Sequence, residues 1–193
     1  MKATIEKKLV VNQTLEKTWE LLTDPTKVVS CVPGAQLTAV IDQDNYKGTV
    51  SMKFGPVAVK YNGQVTFVKR DAANYDMILQ GKGMDDKGKG SADMLLTVKL
   101  IPKESQTEVQ YSMEVNISGM LAQFGSRLIS DVSNSVADQF SNNFKKLAEG
   151  SEFAGADQEA NSLNALSMAG SILKNKVSGL FGGGKKEGEE SNQ

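Results

Sequence analysis

The sequence predicts an α+β fold: a curved antiparallel sheet wrapped around one long C-terminal helix, with two short helices after the first strand. Three observations lead there. From residue 36 to 116, apolar and polar residues alternate in successive runs separated by short breaks, the pattern of a half-buried antiparallel meander. From Leu121 to Leu147 the period changes. Leu121, Phe124, Leu128, Val132, Val136, Phe140 and Phe144 recur every three or four residues, with Ile129 and Leu147 beside them and Arg127, Asn134, Asp138 and Lys145 opposite. A helix over this stretch is roughly 40 Å long. Its apolar face needs a cover, and the meander is the part of the chain large enough to supply one.

Each element has a local reason. Residues 3–11 read as the first strand. Asn12 or Thr14 caps a helix over 14–23, Glu16 favours its dipole, and Leu15, Trp19 and Leu22 form its apolar stripe, with Trp19 a core anchor. Asp24-Pro25 ends that helix and starts a second, through Val29. Val32-Pro33-Gly34-Ala35 suits a type II turn, with proline at the second position and glycine supplying positive φ at the third. Cys31 precedes it and reads as a small buried hydrophobe.

In the meander, Tyr46, Gly48, Val50, Met52 and Phe54 share a face, and Gly55-Pro56 breaks the run. Val57, Val59, Tyr61, Gly63, Val65 and Phe67 line a long strand that turns at residues 70–73. Tyr75, Met77, Leu79 and Gly81 alternate next. Ala92, Met94, Leu96, Val98 and Leu100 follow, then a turn at 102–105, then Thr107, Val109, Tyr111, Met113 and Val115. The glycine-rich segment Gly83–Gly90 resembles a phosphate-binding loop only superficially. Gly90 stands where a Ser or Thr is required, and the segment joins two strands, so it reads as a hairpin loop.

Composition narrows the chemistry. The chain of 193 residues has no histidine and one cysteine. That excludes His-based catalysis, histidine metal ligation, an intrachain disulfide and a Cys-based zinc site. The totals of 22 basic and 23 acidic side chains divide unevenly: residues 149–193 carry four basic and seven acidic, leaving 18 and 16 before them. A front domain so close to neutral gives no electrostatic case for nucleic acid. The first residues carry charges where a secretion signal needs an apolar run, and no apolar run is long enough to span a membrane. The expected location is cytoplasmic.

The inward positions point to a ligand. They are Met52, Phe54, Tyr61, Val65, Phe67, Met77, Leu79, Met94, Leu96, Tyr111 and Met113 on the sheet, and Leu121, Phe124, Gly125, Leu128 and Val132 on the helix. Methionine adapts to irregular shapes, so this set forms either a filled core or a pocket for an apolar ligand, with Tyr61 or Tyr111 as hydroxyl donor. These lists contain no carboxylate or lysine, which weakens an acid–base enzyme reading. Gly125 falls mid-face, and serves either close packing or space for a ligand. The expected organisation is one domain over 1–148, an acidic linker over 149–160, an amphipathic helix over 161–181 and a disordered polar tail over 182–193. In that helix Leu163, Leu166, Ile172, Leu173, Val177, Leu180 and Phe181 face one way, an apolar side expected to seek a membrane interface, a partner or its own domain.

Trp19, the loop motif Cys31-Val32-Pro33-Gly34-Ala35, Gly48, Gly55-Pro56, Tyr61, Gly63, Gly81, Gly83, Gly90, Gly119 and Gly125 together resemble the CoxG family, known as the G component of carbon monoxide dehydrogenase. That family belongs to the START-like, Bet v 1-like helix-grip superfamily. The resemblance covers about residues 1–148. It implies a non-catalytic accessory of molybdenum hydroxylases of the carbon monoxide or xanthine dehydrogenase type. The implied roles are recruiting the enzyme to the cytoplasmic face of the inner membrane and carrying a hydrophobic small molecule, a lipid or an isoprenoid quinone. It implies no molybdenum site and no other cofactor in this chain. A polyketide-cyclase-like enzyme and a structural adaptor without ligand are the alternatives.

Overall fold

The computed structural model describes residues 1–54 and 57–151, apart from the side chains of Phe54 and Val57. The tail readings, from the linker through Leu163–Phe181, lie outside the described residues, as does the placement of the Phe54 side chain. The strands are β1 Lys2–Val11, β2 Ala35–Val40, β3 Asn45–Phe54, β4 Val57–Asp71, β5 Asp76–Asp85, β6 Ser91–Lys103 and β7 Gln106–Ile117. They form one antiparallel sheet in the order β1-β7-β6-β5-β4-β3-β2. The helices are α1 Leu15–Leu22, α2 Pro25–Val28 and α3 Gly125–Ala148, with 3₁₀ turns at Val29–Cys31 and Gly119–Phe124.

Local chemistry accounts for the connections. Thr14 accepts from the Lys17 N–H and caps α1; Asp24 accepts from the Thr26 N–H and caps α2, with Pro25 in its first turn. Ala35 donates to the Val32 carbonyl at 3.1 Å, and Gly34 has φ +72°, so the turn is the one its residues require. Cys31 is fully buried, and its carbonyl accepts from the Asn143 amide at 3.1 Å, which ties the turn to α3.

The sheet curves where its glycines meet. Gly48 pairs with Gly63, and Gly63 with Gly83, in a row across three strands on the concave face. A Cβ on Gly63 would lie 2.4 Å from the Lys82 carbonyl oxygen, and one on Gly48 would lie 2.8 Å from that of Gln36. The backbones come too close there for any side chain, which is what a sharply bent sheet demands. A bulge between Phe67 and Lys69 adds a second device. It pushes Val68 out to solvent at 61% exposure and turns Arg70 onto the concave side. The Arg70 guanidinium lies 3.9 Å over the Phe67 ring.

The helical stretch over 119–148 is in two pieces. Gly125 has φ +87° and a Cβ there would meet nothing within 4 Å, so it marks a backbone break rather than close packing. Upstream of the break the turn does not follow the register of α3. Leu121 is buried, but Phe124 is 43% exposed and leaves the apolar face to which the periodicity assigned it. Within α3, Ile129, Val132, Ser133, Ala137, Phe144 and Ala148 are buried. The small Ser133 and Ala137 let α3 lie close against the edge strand β1, to which Lys7 and Asp138 add an ion pair at 2.8 Å. Its far end is fastened by Asn12, whose backbone and side-chain N–H groups both reach Glu149, and by the Gln13 amide on the Ala148 carbonyl.

Candidate functional site

The strand register assigns every sheet side chain to a face. In antiparallel pairs directly opposed residues point the same way. From Ile5↔Met113, Leu96↔Met113, Leu79↔Leu96, Phe67↔Leu79 and Val50↔Tyr61, the concave side carries the alternating set expected from the sequence. That side is filled unevenly. Around α1 it is solid: Trp19, Leu22, Phe67, Met77, Val98, Leu100, Val109 and Phe144 are buried, and Trp19 meets Tyr75 edge-on at 5.7 Å. Toward the other end it is not. Val50, Met52, Val65, Leu79, Met94, Leu96, Met113 and Val115 point inward yet are only half-buried, as is Leu128 on α3. Solvent therefore reaches the inner wall of the cup. Val132 and Tyr61 are buried at 9% and 7% exposure. The bent glycine row runs through this region, and Gly81 and Gly83 leave its floor without side chains.

The two tyrosines part company. Tyr111 donates to the Ala137 carbonyl at 3.0 Å, lies 3.0 Å from the Ser141 hydroxyl, and packs edge-on against Phe140. It is a strut between β7 and α3, so the expectation that it offers a free hydroxyl fails: α3 already takes it. Tyr61 has no hydrogen-bond partner among the described residues. Burial pushes its phenol above the ordinary range, and the nearby Asp85 charge adds to this. It is thus a neutral donor in an apolar wall. Burial also raises Tyr111, against the Ser141 hydrogen bond.

Three charged residues share the concave side, which corrects the expectation that it holds no carboxylate or lysine. Asp85 pairs with Tyr61, Lys7 pairs with Tyr111, and Arg70 pairs with Met77. Asp85 and Lys7 were within reach of the alternation: two more steps along Tyr75-Met77-Leu79-Gly81 arrive at Asp85, and Ala3-Ile5-Lys7-Leu9 is one face. Arg70 was not, because the bulge that turns it inward leaves no mark in the sequence. Cys31 stays an inert thiol, pushed up to about 11 by burial. Among the described residues no three acidic or thiol side chains converge as metal ligands, and no helix is long and apolar enough to cross a membrane. A separate open cleft of about 470 Å³ lies between α1–α2 and Tyr46, with Glu20, Asp24 and Lys27 on its walls.

A seven-stranded curved sheet closed by a long C-terminal helix, with an apolar interior reached by solvent, defines the helix-grip class. Solved structures agree on the fold. A conserved protein from Geobacillus kaustophilus superposes with a TM-score of 0.69 at 22% identity, covering 78% of this chain and 98% of its own. A protein from Chromobacterium violaceum gives 0.55 at 13%, covering 76% and 96%. A truncated norcoclaurine synthase from Thalictrum flavum gives 0.50 at 17%, covering 74% and 92%, so the class includes an enzyme. No curated protein matches the sequence. Residues 8–148 match the CoxG family, described as the G component of carbon monoxide dehydrogenase, and the chain belongs to that family.

Proposed function

We propose that this protein is a non-catalytic accessory that carries a hydrophobic molecule, a lipid or isoprenoid quinone, inside its grip. In this reading it serves a molybdenum hydroxylase of the carbon monoxide or xanthine dehydrogenase type, which it helps bring to the membrane, with the segment 161–181 as a peripheral contact. The observation that carries the reading is the combination at the open half of the cup: inward apolar side chains that remain half-buried, beside a buried Tyr61 hydroxyl without a partner among the described residues. An apolar ligand would cover Met52, Met94, Leu96 and Met113. Each CH₂ it buries is worth about 0.8 kcal/mol. A carbonyl or ether oxygen on it would accept from Tyr61 for a net of about 1 kcal/mol.

The enzyme alternative has less behind it. Tyr61 is shifted toward holding its proton, which suits a hydrogen-bond donor more than a base. Native mass spectrometry of the purified full chain, followed by organic extraction, tests the proposal. A stoichiometric apolar molecule is expected, and Leu128→Trp, which fills the cup from α3, should expel it. A chain that purifies empty and binds neither added quinone nor added lipid refutes the carrier reading.

A further inference from the structure

The open end of the cup is built differently from the closed one. Four hydrogen bonds gather its parts: Met1 to the Ile117 carbonyl, Ser118 N–H to Ser91, Met120 N–H to Lys89, and Asp86 N–H to Lys60. They bring the β5–β6 loop, the 3₁₀ turn and the start of α3 together beside the β3–β4 hairpin. Four of the nine exposed large apolar side chains among the described residues sit there: Met1, Met84, Met120 and Phe124. The turn bearing Met120 and Phe124 is held at one end, since a Cβ on Gly119 would lie 1.9 Å from the Lys89 oxygen, and is unobstructed at the other, Gly125.

The charges divide in the same way. Seven of the nine ion pairs among the described residues lie at the closed end or along its turns, such as Lys17–Glu20, Lys69–Asp76 and Arg70–Asp44. At the open end Lys53, Lys60, Lys87, Lys89 and Arg127 are exposed, and none is in an ion pair among the described residues. The exposed carboxylates near them are Asp86, Asp93 and Asp131. Apolar tips ringed by such cations match a bilayer surface with anionic headgroups: the tips enter the acyl boundary while the lysines meet phosphates.

We infer that this end docks directly on an anionic lipid surface, with Met120 and Phe124 inserted. This contact is distinct from any made by residues 161–181. Its purpose rests on the carrier reading, because a mouth seated on lipid lets an apolar ligand pass without entering water; its geometry does not.

The test uses the full chain with an environment-sensitive fluorophore on Phe124→Cys. The buried Cys31 stays unlabelled. Ile41→Cys, exposed on the β2–β3 hairpin at the other end, is the control. With vesicles of phosphatidylcholine and phosphatidylglycerol, the label at 124 should brighten severalfold and shift to the blue, and the label at 41 should not change. Joint Lys87→Glu and Lys89→Glu substitution should weaken that response by about tenfold or more. Co-sedimentation with vesicles while the label at 124 stays silent would mean that the tail alone binds, and overturns the inference. So would equal responses at 124 and 41. Native mass spectrometry of the same unlabelled chain reports ligand carriage separately, so an empty cup and a mouth that does not dock are distinguishable results.

Discussion

Gly63→Ala tests whether the glycine row sets the curvature of the cup. The new Cβ would lie 2.4 Å from the Lys82 carbonyl oxygen and 2.9 Å from the Gly83 Cα, both backbone atoms that no side-chain rotation can move. The strands must part by roughly 0.6 Å or more to reach even the shortest contacts that packed interiors show. Such overpacking costs about 1–3 kcal/mol. Losing glycine's freedom in the unfolded chain returns about 0.4–1 kcal/mol. The net expectation is a loss of about 1–2 kcal/mol, which for a domain of this size lowers Tm by roughly 2–8 °C. Gly83→Ala is the matched control. It lies in the same row, directly paired with Gly63, yet its Cβ would meet Tyr61 Cβ at 3.5 Å, an ordinary contact. Its stability should equal the parent's or exceed it by up to about 1 kcal/mol. Urea and thermal unfolding followed by circular dichroism measure both. Equal stability of Gly63→Ala and the parent, or equal losses in the two variants, would refute the account of the bend.

Two further outcomes follow from the same geometry. Tyr111→Phe should lose about 0.5–1.5 kcal/mol in urea unfolding, since it removes a hydroxyl bound to α3, whereas Tyr61→Phe should leave stability within about 0.5 kcal/mol and instead weaken retention of a bound ligand. The Cys31 thiol should resist thiol reagents in the native chain. Its folded value lies near 11 against 9.0 unfolded, so its contribution is complete below pH 9 and is lost as pH rises toward 11. Urea midpoints should therefore fall more steeply over that interval in the parent than in Cys31→Ala.

Features governed by neighbours in the chain were legible from residues alone. Strand alternation, the Thr14 and Asp24 caps, the Val32–Ala35 turn and the period of α3 each depend on a few consecutive residues, and so do the family landmarks. With them came the α+β architecture and most of the inward-facing set. Features governed by partners distant in sequence were not. Tyr61 and Tyr111 stand on equivalent inward positions, and only the approach of Ala137 and Ser141 on α3 decides that one is a strut and the other is without a partner among the described residues. The break at Gly125 is a backbone angle, and a period of three or four carries no angle. The inward turn of Arg70 depends on a slipped register against β5. Whether the inward side chains fill the cup is a matter of volume: the sequence supplies the list of side chains, and the bend of the sheet and the height of the helix above it set the space they must occupy.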